Sequence, residues 1–563
     1  MIAIARLQLS HQLSTTMAES TQGEQERLLP QNPQYGAVSA SPLEGAAVGR
    51  SAGNTGESFD NVPHARRKLG LASATFLVFN RVIGTGIFAT PSVILHSSGS
   101  VGIALLMWVL GALIAIAGTT VYVELGTGLP RSGGEKNYLE YMYRRPKFMV
   151  SCTYGVYTLI AGSSAPNGIV FGEYIIHALA LPPTSLNVRA AALLCLTFSL
   201  LMIGVFASSG LRLLNTLGTF KFGILAGIAT LGLLSLAGVP GLQVGSEYPA
   251  PRNFASWGAV WAGGRKDPNA LVTALYNVIW SFIGYSNANY ALSEVKDPVR
   301  TIKRAAPLAI LSVAAVYMLV NVAYFAVVSK EDILGSRQIV AALFFRNLFG
   351  PATERALSAC IALSSLGNIL SVNFTQGRVI QELGREGVFP FSAFFATNKP
   401  FGAPLAGLLT MYLLSVAMVI APPPGDAYLF LLSMSSYALT LINTLVSFGL
   451  LLLHSPAYRA WAWDPPFRAP RIVVVLFFVS NVFLALIPLI PPAEGQRTFE
   501  RIPYYMHVLV TIAASQLGVA YWAVWSVWLP RRNGYALKRE WRVQDDGVSR
   551  FVFVKVPAVA GSA

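Results

Sequence analysis

Two short segments of this chain carry the residue types and spacing that could hold a small zwitterion. In Asn80-Arg81-Val82-Ile83-Gly84-Thr85-Gly86-Ile87-Phe88 two glycines stand two residues apart inside an apolar run. Glycine weakens helix there and lets a ligand approach bare backbone. In Trp280-Ser281-Phe282-Ile283-Gly284-Tyr285-Ser286-Asn287-Ala288-Asn289-Tyr290 a second apolar run is broken by glycine and polar side chains. A helix restarting at Gly84-Thr85-Gly86 presents free N–H groups and a positive end, suited to a carboxylate. A helix stopping near Trp280-Ser281-Phe282 presents free carbonyls and a negative end, suited to an ammonium. An α-amino acid carries both groups on one carbon, which favours it over a sugar or an inorganic ion. The competing explanation for either glycine site alone is a packing notch, because small residues also line helix contacts in membranes.

The elements that must position these segments follow from composition. Of 563 residues 54% are hydrophobic and 12% charged, about half the charged share of a soluble domain, and mean hydropathy is +0.53. A soluble globular enzyme is excluded. Apolar runs of roughly 20 residues, the length of a bilayer crossing, occur twelve times: 70–96, 101–127, 149–178, 188–207, 211–238, 269–293, 305–328, 354–377, 403–421, 426–454, 471–490 and 504–529. The fold class is therefore all-α integral membrane protein. The first and sixth spans hold the two breaks, and paired breaks at corresponding places in two halves point to an inverted-repeat transporter with its substrate between them. The expected organisation is a disordered tail over 1–68, a transporter domain over 69–530 (repeats 69–240 and 268–455, last two helices 470–530) and a cytosolic tail over 531–563. Met1 to Ser10 lacks the features of a cleavable signal, so the first span is expected to target the chain.

The net charge of +15, from 41 Lys+Arg against 26 Asp+Glu, would suggest a nucleic-acid partner in a soluble chain. Its distribution says otherwise. With Arg212 and Arg471 counted in the loops they border, 29 basic residues fall in the tails and even-numbered connections and eight in the other loops. That bias places both termini in the cytosol and removes the case for nucleic acid. The three cysteines, Cys152, Cys195 and Cys360, are far apart and offer no disulfide framework or metal cluster. The six histidines are scattered, and no HExxH motif or nucleophile elbow occurs. No enzyme, metal or cofactor is expected.

Four motifs carry a resemblance. They are Gly84-Thr85-Gly86-Ile87-Phe88, the stretch from Glu124 through Pro130-Arg-Ser-Gly-Gly-Glu135, Glu294-Val-Lys-Asp-Pro298, and Gly384-Arg-Glu-Gly-Val-Phe-Pro390. In this order around twelve spans, over roughly 68–530, the chain resembles the amino acid/polyamine/organocation superfamily. Within it the chain is similar to the L-type amino acid transporter branch, and most of all to the fungal high-affinity methionine permeases. The resemblance implies a LeuT-like five-plus-five inverted repeat with two additional helices. It also implies that amides of Thr85, Gly86 and Ile87 bind substrate carboxylate and that carbonyls of Ile83, Trp280 and Phe282 bind the ammonium. Gly84, Trp280 and Ser281 would shape the pocket, with Trp280 as an aromatic gate. Lys221, roughly 15 Å into the fifth span, resembles a built-in cation in place of sodium, with Ser364, Ser365 and Asn368 completing a polar cluster. Helix-to-helix hydrogen bonding is the structural alternative for all four.

Arg81 departs from the family pattern. A mid-membrane arginine must face protein or water, and Glu124 and Glu294 are the expected partners at an inner gate. Glu294, Glu173 or Lys221 could sense a coupled proton. The leading functional expectation is proton-coupled uptake of a neutral amino acid, methionine favoured, by alternating access in the plasma membrane. Alternatives are an L-type exchanger and an amino-acid-sensing receptor with little transport. Residues 179–187 hold no cysteine, so no disulfide-linked heavy chain is expected; the partners are the substrate, protons and the lipid bilayer.

Overall fold

A computed structural model describes residues 67, 69–335, 340–421, 427–456, 458, 463–491, 502–543 and 549–557. Of the tail expected over 1–68, all but residue 67 lies outside the described residues. The helices that build the site are α1 (Leu71–Val82), α2 (Gly86–Ala89), α3 (Val101–Gly128), α4 (Glu135–Met142), α5 (Met149–Ala161), α6 (Ala165–Ala178), α7 (Ser185–Gly204) and α8 (Ala207–Leu236). They continue with α9 (Pro268–Ser281), α10 (Pro298–Val327), α11 (Pro351–Arg385), α12 (Leu405–Ile420), α13 (Ala427–Leu453), α14 (Arg471–Leu486) and α15 (Met506–Trp522).

Nine helices among the described residues are long and apolar enough to cross a membrane. The three remaining spans of the twelve expected are short for physical reasons. The third splits into α5 and α6 around Gly162-Ser163-Ser164, the sixth stops at Ser281 and resumes as a 3-10 turn over Asn287–Glu294, and α12 is 16 residues long. The break in the third span is absent from the sequence expectation. Side chains meet its polar groups: Ser164 N donates to Ser415 Oγ at 3.2 Å, Ala165 N to Ser163 Oγ at 3.1 Å, and Ser164 Oγ to Asn373 Oδ1 at 2.9 Å.

Burial sorts the helices by depth in the bundle. The apolar window of Pro351–Arg385 is 83% buried, whereas those of Arg471–Leu489 and Met506–Asn533 are 22% buried. The first is a central post packed on α6, α8 and α1; the last two expose Ile472, Leu476 and Leu517, as lipid-facing helices do. Caps fix the ends that matter. Ser100 Oγ accepts from Ile103 N at 3.3 Å to start α3, and Gly99 in left-handed backbone (φ +75°) ends the preceding helix.

Two connections tie distant parts together. Leu69 forms an isolated parallel bridge with Val295, through Leu69 N to Glu294 O at 2.9 Å and Lys296 N to Leu69 O at 2.8 Å. The segment expected as a plain tail contains a hairpin, β1 (Tyr535–Val543) and β2 (Ser549–Pro557), antiparallel with Tyr535 opposite Pro557. Phe553 packs edge-on against Phe148 at 4.8 Å and Trp525 at 4.9 Å, and Arg539 Nη2 meets Glu140 Oε1 of α4 at 3.0 Å.

Candidate functional site

The first break begins where α1 ends. Ile83 N still donates to Phe79 O and Gly84 N to Val82 O, but the amides of Thr85, Gly86 and Ile87 donate to no carbonyl among the described residues. The helix then resumes through Thr90, whose N donates to Gly86 O at 2.9 Å, into Pro91–Ser98. Three free amides at a helix start form an anion cradle. Thr85 Oγ1 beside them is buried and also unpartnered among the described residues. The third span contrasts with this, because there the amides of Ser164 and Ala165 are met by the hydroxyls of Ser415 and Ser163.

The glycines of this break have a second role. A Cβ at Gly86 would lie 2.6 Å from Ser281 Oγ and 2.9 Å from Ser281 Cα, and one at Gly84 would lie 2.6 Å from Asn368 Nδ2. Both are therefore close-packing positions, as the packing explanation weighed from sequence requires.

The sixth-span break faces the first. Ser281 Oγ donates to Asn277 O at 2.9 Å and lies 3.2 Å from Thr90 Oγ1. Phe282 O accepts from no group among the described residues, whereas Trp280 O accepts from Ile283 N and Ser281 O from Tyr317 Oη. Ile83 O, expected to meet a ligand ammonium, instead accepts from Lys221 Nζ at 2.6 Å. The unbonded carbonyl is thus at Phe282, which with Ile87 lies outside the lining of the cavity between the breaks, whereas Trp280 lines it.

Lys221 is fully buried and also reaches Asn80 O at 3.3 Å. Asn368 Nδ2 takes Arg81 O at 2.6 Å and Asn80 O at 3.3 Å. Together they hold the carbonyls that α1 releases at its end, so the structure brings Lys221 and Asn368 to one place. Ser365 Oγ turns back to Ile361 O of its own helix, and Ser364 Oγ is buried without a partner among the described residues.

A cavity lies between the breaks, lined among others by Arg81, Thr85, Gly86, Trp280, Ser281 and Glu135. Arg81 faces it, and its guanidinium makes no hydrogen bond or ion pair among the described residues; its stem packs on Gly284, which sits in left-handed backbone at φ +121°. The partners expected for Arg81 are engaged elsewhere. Glu124 binds His454 Nε2, Trp463 Nε1 and Ala469 N, each at 2.8 Å. Glu294 binds Arg378 through Nε and, at 3.2 Å, Nη2. Glu173 is exposed on α6. None of the three lines the cavity. Their partners come from distant sequence, which no spacing argument could reach.

The acid that does line it was quoted in the sequence only as part of a motif. Glu135 is buried and accepts from Tyr290 Oη at 2.8 Å, Ser286 Oγ at 3.1 Å and Tyr154 Oη at 3.1 Å. The available signal was an acidic residue directly after Gly-Gly at the end of a span.

Similarity to known proteins agrees with this geometry. The amino acid permease family matches residues 69–513. The high-affinity methionine permease of Saccharomyces cerevisiae is 42% identical over 511 residues, 90% of this chain and 88% of that protein. The low-affinity methionine permease of the same organism is 30% identical over 89% of this chain and 90% of its own length. The human b(0,+)-type amino acid transporter 1 is 27% identical over 76% and 83%. With the family matched over residues 69–513 and two broken helices lining one cavity inside a multi-pass membrane bundle, the chain belongs to the amino acid permease family.

Proposed function

We propose that the protein imports neutral L-amino acids, methionine foremost, by proton-coupled alternating access across the plasma membrane, with both termini in the cytosol. In this reading twelve spans form repeats over 69–240 and 268–455 with two further helices over 470–530. The observation that carries it is the cavity lined by Thr85 and Gly86, whose amides are unbonded, and by Trp280 at the carbonyl end of the sixth-span helix. One pole takes a carboxylate and the other an ammonium, while the remaining cavity is left for a side chain. Trp280 closes over the substrate, and Lys221 supplies a fixed positive charge where a sodium ion would otherwise bridge the breaks. The 42% identity to a methionine permease supports the choice of substrate.

The test is uptake of labelled methionine in proteoliposomes, with competition by all twenty amino acids and with proton and sodium gradients varied independently. Accumulation driven by a proton gradient and blunted by excess methionine is expected. Uptake that requires a counter-substrate inside would make the protein an exchanger, and binding without uptake would make it a receptor.

A further inference from the structure

Glu135 opens the first turn of α4, aimed inward by Gly133 (φ +120°) and Gly134 (φ +55°). A Cβ at Gly134 would meet the Tyr290 ring at 2.5 Å, so the glycine pair both turns the chain and lets α4 close on the sixth-span turn. Glu135 is 1% exposed, yet it is the one carboxylate among the described residues that lines the cavity.

Its partners differ in kind from those of the acids paired with cations nearby. Glu294 faces Arg378, and Glu140 and Glu386 face Lys136. Those groups donate and cannot accept. A proton placed on any of these carboxylates would point at another donor and strand a buried polar group. Every side-chain partner of the Glu135 carboxylate, Tyr122 included, is a hydroxyl, which rotates from donor to acceptor, and the backbone N–H of Glu135 itself is the one fixed donor. The site therefore satisfies carboxylate and carboxylic acid alike. The hydroxyls also belong to separate elements, Tyr154 on Oε2 to α5 and Ser286 and Tyr290 on Oε1 to the sixth-span break, so a proton on one oxygen reverses a bond to one wall and a proton on the other a bond to the opposite wall.

We propose that Glu135 is the proton-binding group of the transport cycle, loading one proton as substrate enters and releasing it to water on the cytosolic side. The step forms an O–H bond on Glu135 and later breaks it, and no bond to the substrate changes. This rests on the proton-coupled reading above. The groups facing the carboxyl are Tyr122 from α3, Tyr138 from α4 itself, Tyr154 and Tyr157 from α5, Tyr285 and Tyr290 from the sixth span, and Arg81 from α1 near Tyr157 and Tyr290. Arg131 acts on Tyr138, and Lys136 is turned away to Glu140 and Glu386. Burial pushes the Glu135 carboxyl above the ordinary range, against the hydroxyl bonds that lower it, which brings proton exchange nearer neutral pH.

The experiment compares full-length wild type and Glu135→Gln in liposomes with methionine as probe. The expected result is that Glu135→Gln retains detectable methionine counterflow at equal pH and loses accumulation driven by a proton gradient. Continued proton-driven accumulation in Glu135→Gln overturns the proposal. Wild type without proton-driven accumulation overturns the coupling reading instead, a separate result. Should the variant lose counterflow too, methionine binding is measured by calorimetry in buffers of different ionisation heat. Wild type is expected to take up a proton on binding and Glu135→Gln none; equal uptake by both overturns the proposal.

Discussion

Replacing Lys221 by methionine keeps side-chain length and removes every donor. Nζ gives bonds of 2.6 Å to Ile83 O and 3.3 Å to Asn80 O. Hydrogen bonds involving a charged group contribute about 1.5–3 kcal/mol each, so losing both costs roughly 3–6 kcal/mol. Against this, a lysine at mid-bilayer costs about 2.5–3.5 kcal/mol to place on insertion scales, and the substitution removes that cost. The difference is a net destabilisation of about 0–3 kcal/mol, small enough for the bundle to survive. The break, however, loses the group that pins two of its freed carbonyls. Lys221→Met is therefore expected to elute as a folded monodisperse protein with a modestly lowered melting temperature while methionine uptake stops. Unchanged uptake with unchanged ion dependence would refute the role of Lys221 in shaping the break. A variant that cannot be recovered folded would refute the near-cancellation of bonding against burial.

Three further outcomes are expected. Gly86→Ala forces Ser281 to yield by several tenths of an ångström, an overpacking cost of about 1–3 kcal/mol, so thermal stability and methionine affinity should fall together; lost affinity at full stability would show that Ser281 is not what the glycine accommodates. With Lys221 in place of a bound cation, uptake should be the same in sodium and choline media, and sodium-stimulated uptake would contradict that assignment. The Glu140 carboxyl would be raised by burial but is held below the ordinary range by Lys136 and Arg539. A lowered folded pKa stabilises above the ordinary carboxylate range and is lost only as pH falls through the lowered value, so hairpin protection from trypsin should match at pH 5 and 7.5; loosening at pH 5, in wild type but not in Arg539→Ala, would refute it.

The sequence carried the two breaks because glycine and polar side chains inside apolar runs have few structural uses, and both lie where expected. It carried Lys221 for the same reason, a charge too deep to reach water. The third break escaped notice because Gly162-Ser163-Ser164 looks like ordinary membrane-helix composition, and its serines are explained only by Ser415 and Asn373. Glu124 and Glu294 were assigned to Arg81 from depth alone, whereas His454, Trp463 and Arg378 claim them through folding. The hairpin left a readable trace, the alternation Phe551-Val-Phe-Val-Lys-Val opposite Tyr535–Val543, in a segment judged by its charge.

The bridge between Leu69 and Val295 makes a lever of two half-helices. Its two backbone bonds hold the start of α1 to the end of the sixth-span turn, so the segments on the Glu135 side of both breaks must swing as one body or first come unstapled. Two such bonds contribute only about 1–3 kcal/mol together, a latch light enough to open at every turnover. A pull transmitted along the chain ahead of Leu69 would therefore reach both poles of the binding site at once, giving that end of the polypeptide mechanical leverage over the cavity without touching it.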